Sequence, residues 1–89
     1  MSTEQAIQKE PKPADAAFET RDFYLACFLR CAGYELVNLR DEGRRKVFVF
    51  RDRAARRADV MAFYGDAISV RPLAFAATIK DMKELLHNA

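Results

Sequence analysis

The run Lys46-Val47-Phe48-Val49-Phe50-Arg51 constrains the fold of this chain most, because a strand of that pattern is apolar on both faces. Successive side chains of a strand alternate, so Lys46, Phe48 and Phe50 point one way and Arg45, Val47, Val49 and Arg51 the other. Neither side can be left in water. A second run of strand composition, Tyr34 to Leu39, lies just upstream, joined through Arg40-Asp41-Glu42-Gly43-Arg44-Arg45, whose Gly43 suits the positive φ of a turn. The two predict a β-hairpin with helices over its Phe face. Val37, Leu39, Val47 and Val49 then form a second apolar surface, covered either by helices of the same subunit or by a partner or second copy of the chain.

Helical spacing fills in the remainder. Thr20 is placed to cap a helix from about Arg21 to Ala32, stopped by Gly33, with Tyr24, Leu25, Phe28, Leu29 and Ala32 along its apolar stripe. Asp52 is placed to cap a second helix, Arg53 to Tyr64, ended by Gly65. Ala67 to Val70 reads as a short third strand. Pro72 opens a last helix through about His87, with Phe75, Ile79, Met82 and Leu86 facing the core. The reading is an α+β domain of order α-β-β-α-β-α, a two- or three-stranded antiparallel sheet packed with three helices.

Residues 1–17, with Pro11 and Pro13 and few large apolar side chains, read as a mobile leader, leaving 18–89 as one domain. At that size hydrophobic burial barely exceeds a conformational cost of about 1.5 kcal/mol per residue, so self-association would help. The leader lacks the apolar core of a secretory signal, and no apolar run approaches the ~18 residues of a membrane span. A cytoplasmic protein without a membrane partner is expected. Cys27 and Cys31, one helical turn apart, read as reduced thiols in a packed face.

The run Phe18-Glu19-Thr20-Arg21-Asp22-Phe23-Tyr24-Leu25-Ala26, Gly33, the Arg45–Asp52 strand, the Tyr64-Gly65-Asp66 step and the closing Lys80-Asp81-Met82-Lys83-Glu84-Leu85-Leu86 carry a resemblance. Together they resemble a family of small bacterial and phage-borne domains of unknown function. The resemblance supports the order of elements and implies no activity, since its motifs are packing and turn residues. Arg71 departs from it, standing before Pro72 where an Asp or Asn cap is usual.

Charge is the remaining signal. Positions 40–57 hold eight cations against Asp41, Glu42 and Asp52, a local balance of +5 in a chain whose total is +2. An arginine-lined helix front can seat a phosphate or carboxylate, since guanidinium forks and free N–H groups converge on one anion. The anion-binding candidates are therefore Arg53, Arg56 and Arg57 at the second helix, extended by Arg44, Arg45 and Lys46 of the hairpin. The competing reading is a solvated charged face. Phe48 and Phe50 are candidates for base stacking or for the core, and Tyr34 and Tyr64, beside glycines, are the rings expected at the surface.

No metal site is expected: His87 is the only imidazole, and four ligands are needed for structural zinc. No cofactor is expected either. With no phosphate-cradling glycine loop and no cysteine near a sequence-evident base, the chain does not read as an enzyme. Two functions stay open. One is an accessory protein of a mobile element or phage that contacts nucleic-acid backbone. The other is an interaction adaptor, open to homodimer formation, that docks an acidic protein or uses the apolar sheet face.

Overall fold

The computed structural model describes residues 16–88, so most of the expected leader, residues 1–15, lies outside the described residues. The elements in chain order are β1 (Ala17–Thr20), α1 (Phe23–Cys31), β2 (Leu36–Glu42), β3 (Arg45–Arg51), α2 (Arg56–Tyr64) and α3 (Pro72–Asn88). The class is α+β, with three helices and one three-stranded antiparallel sheet of order β1-β3-β2.

The third strand is not the expected one. Ala67–Val70 is irregular chain, and β1 occupies the free edge of β3, pairing Phe18 with Phe50, Glu19 with Val49 and Thr20 with Phe48. The physical reason is that the hairpin satisfies only one hydrogen-bonding edge of β3. Phe18 turns towards the helices and Glu19 away from them. Ile68 and Val70 still pack partly against the core without joining the sheet.

The hairpin closes through Gly43 and Arg44 alone, shorter than the sequence suggests. Only Gly43 has positive φ, +73°, the pattern of a type II′ turn. β2 carries a register shift between Leu36 and Asn38. Strict alternation puts Leu39 beside Val37 on the outer face. The bulge instead sets Leu36 opposite Phe50 and Leu39 opposite Phe48, both on the helix side, with Asn38 and Arg40 opposite Val49 and Val47.

Asp22, not Thr20, caps α1: its carboxylate accepts the Leu25 N–H at 3.1 Å, while the Thr20 hydroxyl accepts the Asp22 N–H. Thr20 is held in β1. The helix ends in a Schellman arrangement, with Tyr34 N–H donating to Leu29 O and Gly33 N–H to Arg30 O. Gly33 takes φ +95°, a conformation L side chains rarely adopt. α2 begins at Arg56, three residues later than expected, because Asp52 does not cap it; Ala55 stands at the N-cap without a side-chain bond.

All three helices lie on one side of the sheet. α1 is the central one, burying Leu25, Ala26, Cys27, Phe28 and Leu29 against Phe48, Phe50, Tyr34 and Met82, and it packs on both other helices. Phe28 stacks on Phe63 of α2 at 5.6 Å, and Phe75, Ile79 and Leu86 of α3 complete the cover. Tyr34 is buried, contrary to expectation. Its hydroxyl donates to Asp59 at 2.7 Å and its ring lies under the Arg53 guanidinium. Tyr64 is exposed, as expected.

Phe50→Ala removes the ring paired with both neighbouring strands and costs about 3–5 kcal/mol. That is most of the stability of a domain this small, about 0.05–0.15 kcal/mol per residue. The variant is expected to be unfolded by circular dichroism, whereas Val37→Thr in the exposed bulge shifts stability by about 0.5 kcal/mol or less in urea denaturation.

Candidate functional site

Backbone pairing decides where the charges go. Arg40 on β2 donates to both oxygens of Glu19 on β1, at 2.8 and 3.1 Å, and to Glu42 at 3.1 Å. Arg21, just past β1, donates to Glu42 at 2.6 Å. Because β1 and β2 flank β3, each bridge between them crosses β3 on its outer face, over Val47 and Val49. Those valines are 0% and 7% exposed. Glu19 and Arg40 stand opposite Val49 and Val47 in the register, so their bonded side chains span this face of β3.

This ladder of Glu19, Arg40, Glu42 and Arg21 is neutral. The Arg40 guanidinium holds the Glu19 carboxyl below its usual range, and Arg21 with Arg40 does the same for Glu42. The two carboxylates in turn raise the pKa of Arg40. The four residues expected to form one apolar outer surface therefore do not do so. Val47 and Val49 are buried, Leu39 faces the helices and only Val37 is exposed.

The six expected anion-binding residues divide into two groups at opposite ends of β3. Six residue steps at about 3.3 Å put them about 20 Å apart along the strand. At the α2 end, Arg53 donates to the carbonyls of Ala32 and Gly33, tying down the end of α1, and lies 4.4 Å over the Tyr34 ring. Arg56 donates to Asp52 at 3.1 Å and sits 4.4 Å over the Phe18 ring. Asp52 also accepts the Arg53 N–H at 2.9 Å, so the chain's own carboxylate takes the place proposed for an external anion. Arg57 is exposed and has no ion pair or hydrogen bond among the described residues.

At the hairpin end, Lys46 pairs with Asp41 at 3.1 Å. Arg44 and Arg45, adjacent at the turn, are exposed and unpaired among the described residues. Together with Arg21 they border a cleft of about 330 Å³ whose other walls are Lys46, Phe23, Phe48 and Leu86. Sequence reasoning missed Arg21, Phe23 and Leu86. Recognising Phe18-Glu19-Thr20 as a strand would have placed Arg21 beside the turn; no local signal brings Leu86 there from the end of α3.

Phe48 and Phe50 are buried and offer no face for stacking. A larger groove, about 730 Å³, runs along α3 past Ile79, Lys80, Lys83, Glu84 and His87, and its described walls come from that helix alone. No group of three or more His, Cys, Asp or Glu that could hold a metal occurs among the described residues. Cys27 and Cys31 are free, and burial pushes the Cys27 thiol up to about 11. No helix among the described residues is long and apolar enough to cross a membrane.

These features define a small α+β domain with a neutral ion ladder on one sheet face and a basic cleft at the end of its hairpin. The chain belongs to a family described as a domain of unknown function (DUF5659), whose model matches residues 15–88 and so spans every described element. No curated protein matches it, and no solved structure does.

The ladder makes acid stability predictable in sign. Glu19 and Glu42 titrate lower in the folded chain than the unfolded value of about 4.3, so their contribution is present above that pH and is lost as pH falls through their folded values. In urea titrations, the wild-type midpoint is expected to drop more steeply below about pH 4.3 than that of a Glu19→Gln/Glu42→Gln variant. Equal slopes would mean that the ladder contributes nothing.

Proposed function

We propose that this is a non-enzymatic accessory protein of a mobile element or phage, acting in the cytoplasm, that contacts nucleic-acid backbone through its hairpin end. One observation carries the reading. Arg44 and Arg45 stand side by side with no acidic partner among the described residues, while Arg40, Lys46, Arg51, Arg53 and Arg56 are each engaged within the fold. Guanidinium N–H groups fork naturally onto phosphate oxygens, and neighbouring arginines suit neighbouring phosphates. Arg21 and Lys46 flank the pair, held in place by Glu42 and Asp41. Arg53 and Arg56 leave the site because each is drawn onto partners within the fold, the Ala32 and Gly33 carbonyls and Asp52, and Arg57 remains as an outlying cation. The phage or mobile-element setting rests on the family resemblance read from the sequence.

Salt dependence tests the reading. Each phosphate contact contributes about −0.9 to the slope of log affinity against log salt on B-DNA. Arg44→Ala and Arg45→Ala are each expected to reduce the slope by about one, while Arg56→Ala leaves it unchanged. Absence of binding to any nucleic acid at low salt overturns the proposal.

A second reading, a protein-interaction module open to homodimer formation, is favoured by a different observation. Met61 and Tyr64, three apart on α2, are 68% and 60% exposed. Light scattering at high concentration tests self-association: a dimer that Met61→Lys converts to a folded monomer supports it, and a strict monomer counts against it.

A further inference from the structure

We infer that the cleft at the hairpin end takes an unstacked nucleotide, so that the nucleic acid this domain engages is single-stranded rather than duplex. The inference rests on the backbone-contact reading and adds to it the class of nucleic acid. Contact with duplex phosphates needs only cations on a convex surface. Here Arg21, Arg44, Arg45 and Lys46 surround a concavity that also exposes Phe23 and Leu86 side chains, backed by Phe48. Phosphate gives an apolar wall nothing to bind. A nucleotide carries both complements, an anion and a flat π-face.

The size agrees. At about 330 Å³ the cleft lies at the small end of the roughly 300–1,000 Å³ range of ligand pockets, enough for one nucleotide and not for a helix. Phe23 is half-buried and fixed in position, its ring meeting Tyr24 edge-on at 5.2 Å and Phe48 at 6.2 Å. A base placed against it needs no rearrangement of the core. Arg21 and Lys46 are likewise held by Glu42 and Asp41, which leaves the Arg44 and Arg45 charges for the phosphates on either side of the bound base. Among the described residues no Asn or Gln lines the cleft to read a base edge, so binding through these walls is tolerant of sequence.

Fluorescence anisotropy with three labelled probes of equal length tests this: a thymidine strand, an abasic strand with the same phosphates, and a duplex. The thymidine strand is expected to bind at least about fivefold more tightly than the abasic strand, following the stacking contribution of a single base. It is also expected to bind more tightly than the duplex. Phe23→Leu, checked for folding by circular dichroism, is expected to narrow the gap between thymidine and abasic strands while preserving the salt slope. Equal affinity for all three probes, lost in Arg44→Ala/Arg45→Ala, overturns the nucleotide cleft and leaves backbone contact standing. No binding to any probe overturns both.

Discussion

Everything in this domain depends on burying β3 from two sides with two different materials. Towards the helices, Phe48 and Phe50 meet the apolar face of α1 together with Tyr34 and Met82. On the other side no described helix packs, and Val47 and Val49 lie beneath charged side chains that reach across from both edge strands. Exposed ion pairs are weak one at a time. In this face their value is geometric: the Arg40–Glu19 bond links the two edge strands across β3, whose Val47 and Val49 are buried. Among the described residues no third layer of secondary structure covers this face of a strand that is apolar on both sides.

The same device changes what the clustered arginines mean. A linear count over positions 40–57 sees a strong positive segment, because the compensating acids Glu19 and Glu35 lie outside it in sequence. Folding brings them alongside. Arg53 and Arg56 are spent differently, on helix-end carbonyls, aromatic faces and Asp52. Within positions 40–57, the cations left without a bonded partner among the described residues are Arg44 and Arg45, with Arg57 apart from them, and the range of the field they set up is limited by salt.

Local signals made most of the fold legible. The Val-Phe alternation gave β3, Gly43 the turn, Gly33 the end of α1, and the Phe75, Ile79, Met82, Leu86 spacing gave α3. What escaped was decided by partners distant in sequence. β1 has four residues and only one large apolar side chain, so nothing local marks Phe18 as half of a pair with Phe50. The bulge in β2 leaves no trace in composition, yet it reassigns Leu39 to the opposite face. Of the candidate site, Arg44 and Arg45 were legible because they follow the turn glycine, Gly43, at the tip of the hairpin. The cleft beside them was not, since its walls come from the start of α1 and the end of α3 as well as from the hairpin.

That bulge has an implication for how the chain can change over time. Downstream of it, β2 puts Leu39 inside and Arg40 and Glu42 outside, so one strand serves both the greasy interior and the charged exterior. Val37 is the extra residue, and removing it would set Asn38 directly after Leu36 and close the ladder with every later pair kept, Leu39 still inside and Arg40 still outside. A deletion further along, at Leu39, would instead turn a guanidinium towards the aromatics or break the pairing. Lineages descended from this sequence should tolerate the loss of one letter at the bulge and none in the rest of the strand.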